Sequence, residues 1–256
     1  MIPLNPWELA CLARAKGCPA REFRDRYTTC GGVRLRLDGL TAGTCSQYDP
    51  SSGCTAYEGR PLACRLFPLG RQRQGEVVRY LHRGATFPCL EGCPEVRSLP
   101  SLTVAEFLRG QEVAAGEAAQ DAYLEVTLDL AEGALVLLLD GGIAASGDRE
   151  TLLRWRELGA LPDADRATPL PGDWLDLLIV PELEARPDDP AEFVGRHFDL
   201  LQAREESLAA LDSAAALRDR CCQMMASALL LGHSIGSDAN ALAEHWIAVA
   251  RHHGAE

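Results

Sequence analysis

The amino-acid sequence predicts a mostly α-helical protein, in which an irregular, cysteine-rich N-terminal half (residues 1–100) packs on an all-helical C-terminal half (residues 101–256). Three observations lead to this prediction. Eight of the ten cysteines lie in the first 100 residues. Those residues carry 14 basic and 9 acidic side chains, a charge of +5, whereas the remainder carries 11 and 28, a charge of −17. Helical hydrophobic periodicity begins only after Pro100.

The N-terminal half is rich in glycine, proline, cysteine and arginine and has no long helical period. Alternation of apolar and charged residues predicts short strands over 32–37 and 76–81. A segment with so few regular elements rarely folds on hydrophobic burial alone, so we expect metal ligation to supply the missing stabilisation. The opposite charges of the two halves predict that they attract each other.

The C-terminal half is predicted to be a bundle of helices. Thr103 and Glu106 have the spacing of a capping box, which predicts that a helix starts there. Pro190 is predicted to open a helix whose apolar face includes His197. The other predicted helices cover 118–140, 148–158, 172–179, 214–231 and 238–252, the last of them capped by Ser237.

Composition narrows the classes of partner and the cellular location. The longest apolar run, residues 134–139, is too short to cross a bilayer, so no membrane partner is expected. The first residues lack the basic and apolar regions of a signal peptide, which predicts a cytoplasmic protein with reduced thiols. Because the acidic half would repel phosphates, no nucleic-acid partner is expected. A protein partner or an anionic small molecule fits the sequence, which does not indicate an oligomeric state.

Six cysteines are the candidate metal ligands, since many cysteines in a reducing compartment favour metal over disulfides. Their spacing matches neither the C-x2-C knuckles of zinc fingers nor a ferredoxin run. Glycine and proline stand beside several of the thiols and let backbone amides approach a sulfur cluster. The six candidates are Cys30, Cys45, Cys54, Cys64, Cys89 and Cys93.

A motif in this stretch resembles a known family. From Cys45 to Pro68 the sequence reads Cys-x8-Cys-x2-Tyr-Glu-x-Arg-Pro-x2-Cys-Arg-x-Phe-Pro. With this motif, residues 28–95 resemble the YkgJ-type cysteine-cluster family, which is described as zinc- or iron-chelating. The resemblance implies that Cys45, Cys54, Cys64 and a later cysteine, Cys89 or Cys93, are ligands.

The upstream part of the sequence departs from the family pattern. The family usually carries a C-x2-C-x2-C-C cluster there, and this chain retains only Cys30-Gly31-Gly32, with Cys11 and Cys18 farther back. The resemblance therefore gives no support to a second cluster or to Cys11 and Cys18 as ligands. An iron–sulfur cluster or a zinc ion each needs about four thiolates. We favour the cluster, because ligands dispersed among arginines suit an anionic centre.

Two arginines, Arg60 and Arg65, flank Cys64 and are candidate cofactor-binding residues. Their guanidinium groups could neutralise thiolate charge or recognise an anionic substrate. Alternatively, they pair with the acidic half and hold the two halves together, which is the interpretation we favour.

The sequence favours a metal-binding protein whose site is chiefly structural and whose biochemical role is unassigned. The alternative is an enzyme in which an iron–sulfur cluster performs redox or group-transfer chemistry. Flagellin lysine N-methylases look as if they share this type of cysteine cluster, which gives the enzyme alternative some support. The similarity concerns the cysteine module alone and does not imply a substrate.

The remaining chemistry-bearing residues have structural interpretations. Four carboxylates recur at every fourth position, and we predict that they dock on the basic half or are solvated. The pair Cys221-Cys222 is predicted to be buried as small hydrophobes, and His197 to be a satisfied core histidine. Among the histidines, His82 is the one considered as a ligand. The four carboxylates are Glu117, Asp121, Glu125 and Asp129.

Overall fold

The computed structural model describes residues 1–40, 43–82, 100–183, 187–206 and 213–256. It is 61% helical, with ten α-helices in those ranges. The helices are α1 (Pro6–Lys16), α2 (Ala20–Tyr27), α3 (Leu62–Leu66), α4 (Val104–Arg109), α5 (Ala114–Asp140), α6 (Glu150–Ala160), α7 (Gly172–Ile179), α8 (Pro190–Glu206), α9 (Ala214–Ser234) and α10 (Ala239–His252). The strands are β1 (Thr28–Thr29), β2 (Arg34–Leu35), β3 (Tyr48–Asp49), β4 (Gly53–Cys54), β5 (Leu69–Gln74) and β6 (Val77–His82), paired as three antiparallel hairpins.

The prediction of a mostly α-helical fold is confirmed, and the C-terminal helices follow the predicted pattern closely. Helix α4 begins at the predicted capping box, in which Thr103 accepts from the backbone N–H of Glu106. Helix α5 starts at Ala114, a few residues before the predicted start. The cap of α10 is Asp238, whose side chain accepts from the N–H of Ala241, so the assignment of that cap to Ser237 was wrong.

The N-terminal half is more regular than its composition predicted. Its first 27 residues contain two helices, and α1 has a complete capping box in which Asn5 and Glu8 each accept the other's backbone N–H. Gly17 ends α1 in the left-handed conformation, at φ 70°. The strand predicted over 32–37 is reduced to the two residues of β2, whereas that predicted over 76–81 is present as β6.

Buried residues from both halves form one hydrophobic core. Helices α1 and α2 contribute Leu12 and Phe23, and the C-terminal helices contribute Tyr123 and Trp155, all fully buried. Hydrophobic burial therefore stabilises the N-terminal half as well, and the expectation that metal ligation adds to this stabilisation stays a prediction. The division at residue 100 stays a prediction. Within the described ranges, none of the helices combines the length and apolar character that a bilayer crossing needs.

Ion pairs across the two halves confirm their predicted attraction. Arg24 pairs with Asp176, with its side chain largely buried. Arg71 of β5 holds the carboxylate of Asp121 through two hydrogen bonds of 2.8 and 2.7 Å, and Arg73 lies 3.2 Å from the same carboxylate. Part of the predicted carboxylate stripe on α5 therefore docks on the basic half, as expected.

Replacing Arg71 with methionine is expected to lower the free energy of unfolding by about 1–3 kcal/mol, because Asp121 would lose a largely buried partner. The Arg71 side chain is 6% exposed. Chemical denaturation of the two proteins measures the difference. Arg79 on the neighbouring strand β6 is exposed, so Arg79→Met is the matched control and should change stability by less than about 0.5 kcal/mol. Equal losses in both variants would contradict a specific role for the Arg71 ion pair.

Candidate metal centre

Three of the predicted ligands line one cavity. Cys45, Cys54 and Cys64 surround a space of about 200 Å³ in the N-terminal half. Its other lining residues are Ile2, Leu12, Leu35, Gln47, Tyr48, Arg60 and Pro61. The structure thus brings together the three cysteines of the sequence motif, against a wall that is mostly apolar.

A tight hairpin positions the first two of these cysteines. The side chain of Asp49 accepts from the backbone N–H groups of Ser51 and Ser52, at 2.9 and 3.0 Å, and so closes the turn between β3 and β4. Gly53 continues the turn at φ 79°, a left-handed value that glycine adopts without a steric penalty. Cys54 then pairs with Tyr48 across the hairpin, and Cys45 lies just before β3. The local sequence therefore determines the approach of Cys45 to Cys54.

A buried carboxylate connects the helix that carries Cys64 to the N-terminal helix. Glu8 accepts from the N–H of Leu62 at 2.7 Å and from the N–H of Asn5 at 3.0 Å. Burial raises the pKa of Glu8 to about 7, against the opposing effect of those two hydrogen bonds. The sequence analysis missed Glu8. The Asn5-x-x-Glu8 spacing could have indicated the capping box, but no local signal indicates a contact with Leu62, 54 positions away.

The three thiols lie close enough to influence one another. Burial, and then the neighbouring Cys45 and Cys54, raise the pKa of Cys64 to about 12, while Arg60 acts in the opposite direction. Burial also raises the pKa of Cys45. The raised pKa values of Cys45 and Cys64 keep these two thiols protonated at neutral pH, so a metal bound to their thiolates would have to displace both protons on binding.

The two candidate arginines have different surroundings. Arg65 donates to the carbonyl oxygens of Arg60, Glu58 and Gln111 at 3.0–3.2 Å and lies 3.3 Å from the Glu112 carboxylate. These bonds connect the N-terminal half to the segment after residue 100, in agreement with the interpretation of Arg65 as a link between the halves.

Arg60 lies at the cysteine cavity. Its guanidinium stacks on the ring of Tyr57, 3.5 Å from the ring centre, and its Nε donates to the Tyr57 carbonyl oxygen. It also lines a neighbouring cavity of about 360 Å³, together with Trp7 and Cys11. Arg60 is thus placed to interact with thiolates or with a molecule next to them.

Among the described residues, Cys30 is the candidate ligand that does not line the shared cavity. Cys30 lies in the turn between β1 and β2, at a left-handed φ of 56°. Cys18 follows α1 and packs against the core. Cys89 and Cys93 lie outside the described residues. Within the described ranges, no group of three or more His, Cys, Asp or Glu side chains is arranged to hold one metal ion as it stands.

The structural predictions about His197 and Cys221 are confirmed, whereas Cys222, also predicted to be buried, is only partly buried. His197 is fully buried, its Nε2 lies 3.0 Å from the carbonyl oxygen of Leu177, and its Nδ1 lies 2.9 Å from the hydroxyl of Tyr123. The Cys221 thiol is buried and donates to the carbonyl oxygen of Ala134. Burial in the core and these hydrogen bonds explain the positions of both side chains.

Comparisons of the chain with protein-family models, with curated proteins and with solved structures find no match in any of the three. The resemblance to the cysteine-cluster family rests on the motif alone and stays a prediction.

Proposed function

We propose that this protein binds an iron–sulfur cluster, or alternatively zinc, through the thiolates of Cys45, Cys54 and Cys64. The fourth ligand would be Cys89 or Cys93, as the motif implies. The observation that carries the proposal is that three cysteines separated by up to 19 positions line one cavity of about 200 Å³. Proteins rarely gather several reduced thiols around a common space unless the thiols serve a metal or redox chemistry.

The chemistry of the donor set supports the cluster over a single zinc ion. Zinc requires all its thiolate sulfurs at about 2.3 Å from one point. A cluster places its ligands on separate iron atoms and so accepts thiolates that are spaced more widely. When bound, the cluster would supply one-electron redox chemistry. The apolar wall formed by Ile2, Leu12 and Leu35 would limit access of water, and Arg60 would offset negative charge.

A second candidate function is a redox or group-transfer enzyme. What favours it is the neighbouring cavity of about 360 Å³, which shares Arg60 with the cysteine cavity. Its volume falls within the range of small-molecule sites. In this proposal an anionic substrate would bind beside the metal centre, in contact with Arg60. We place the reaction in the cytoplasm, where the thiols stay reduced.

The identity of the metal is tested by anaerobic purification of the full chain, followed by analysis of iron, acid-labile sulfide and zinc. We expect a brown protein with broad absorption at about 400 nm and with equal amounts of iron and sulfide. A colourless protein with one zinc per chain would show that the bound metal is zinc and not an iron–sulfur cluster. It would also remove the support for a redox enzyme. Protein that retains neither metal after expression with both supplied would contradict the metal-binding proposal.

A further inference from the structure

A second site is indicated by Arg34 of β2, a buried arginine without a charge partner. The residue is 7% exposed. One guanidinium nitrogen, Nη2, lies 3.0 Å from Nδ1 of His233, and the other two, Nε and Nη1, are buried and have no hydrogen-bond partner among the described residues. No ion pair joins Arg34 to a carboxylate in those ranges. A guanidinium is always charged in proteins, so this arrangement is costly as it stands.

The groups that face Arg34 do not remove its charge. Because a guanidinium can only donate, the Nδ1 of His233 accepts, and this histidine is neutral. Beyond it, Nε2 of His233 lies 3.4 Å from Asp163, but Asp163 is already paired with Arg166 at 3.1 Å. Burial lowers the pKa of the Arg34 guanidinium despite the attraction of Asp163. The positive charge of Arg34 is thus incompletely balanced.

Arg34 is also part of the wall of a cavity. This space of about 450 Å³ lies between the N-terminal segment, α3, the start of β5 and the end of α9, and its polar lining includes Asn5, Arg71, Gln120 and Ser234. Arg71 in this wall is held by the carboxylate of Asp121.

Glu8 is an acidic side chain on the same wall. Both of its oxygens are occupied by the backbone N–H groups of Leu62 and Asn5. It is therefore engaged in holding α3 and does not pair with Arg34.

We propose that this cavity binds a small molecule through an oxyanion group, a phosphate or a carboxylate, with Arg34 as its charge partner. An oxyanion in the cavity would balance the positive charge of Arg34, which is part of the cavity wall, and arginine is well suited to bind phosphate and carboxylate groups. The volume of the cavity exceeds that of a free phosphate ion, which indicates a larger metabolite that carries the group. The proposal is independent of the metal centre, because Cys45, Cys54 and Cys64, the proposed ligands that the structure describes, do not line this cavity.

The test compares thermal unfolding of the full chain in sodium phosphate, in sodium citrate and in sodium chloride of equal ionic strength. We expect phosphate or citrate to raise the Tm of the wild type by about 2–4 °C over chloride. The larger of the two responses identifies the preferred oxyanion. Arg34→Met should remove the response. The matched control is Arg24→Met, because Arg24 is also largely buried but is paired with Asp176, and this variant should keep the response.

Absence of a response to both anions in the wild type would overturn the proposal, as would an unchanged response in Arg34→Met. A second measurement locates the site without a variant. Phosphate or citrate should slow amide hydrogen exchange of the wild type in the segments 1–8, 34–35, 69–71 and 234–236, each of which contributes residues to the cavity wall. Protection confined to other segments would place the anion elsewhere and would also overturn the proposal.

Discussion

Replacing Cys64 with serine is expected to abolish metal retention by the protein. Cys64 of α3 lines the shared cavity together with Cys45 and Cys54, so its loss leaves two thiolates among the described ligands. A serine hydroxyl does not ionise near neutral pH and is a poor donor for iron or zinc in a thiolate site. We expect metal content per chain to fall at least about tenfold, measured by metal analysis after anaerobic desalting.

The matched control for this variant is Cys221→Ser. Cys221 is the most buried of the cysteines that the structure describes. Its thiol donates to a helix carbonyl oxygen in the C-terminal core and does not line the cysteine cavity. Its replacement should leave metal content unchanged, even if stability falls. Cys54→Ser is a second variant of a proposed ligand, and we expect it to lose metal as Cys64→Ser does. Full metal occupancy in both Cys54→Ser and Cys64→Ser would end the assignment of these ligands.

Lowering the pH from 7 to 4 is expected to destabilise the protein through His197 by about 3 kcal/mol. The Leu177 carbonyl oxygen can only accept, so Nε2 of His197 carries the proton and Nδ1 accepts from the Tyr123 hydroxyl. The buried ring is therefore neutral, and burial lowers its pKa from 6.5 to about 4. The unfolded chain binds a proton below about pH 6.5 that the folded chain does not bind. Stability is thus fully present above that pH and falls as the pH approaches 4.

The variant that isolates this effect is His197→Gln. A glutamine amide can donate to Leu177 and accept from Tyr123 but does not titrate in this range. Denaturant unfolding at a series of pH values should give a shallower loss of stability for the variant, with the difference developing between pH 6.5 and 4. Burial also lowers the pKa of His233, and this group contributes equally to both proteins. If the stability of the two proteins fell in parallel as the pH was lowered, His197 would not be the source of the pH dependence.

Local signals predicted those parts of the fold that depend on neighbouring residues. The capping box at Thr103 and the proline at position 190 each define a helix start through contacts within one turn, and both starts are present. The same kind of signal, Asn5 with Glu8, was available for α1. The glycine and cysteine content of the first 100 residues instead suggested irregular structure. Composition averaged over a half of the chain was a poorer guide than the spacing of individual residues.

The candidate site was predictable only in part, because its geometry depends on distant contacts. The motif correctly grouped Cys45, Cys54 and Cys64, since a hairpin and a short helix keep them near one another. The position of α3 against α1 depends on the bond between Glu8 and Leu62, which no periodicity indicates. Likewise, nothing in the sequence distinguished the buried Arg34 from the other arginines, because its isolation results from packing against the end of α9.

The shared core has a consequence for how such a cysteine motif can spread between proteins. Phe23 and Leu12, from the first two helices, are buried in the same cluster as Tyr123 and Trp155 of the bundle. Transferred alone to another gene, the first 100 residues would bring an uncovered apolar surface with them. The first 100 residues of this chain would therefore have to be transferred together with the helices that cover them.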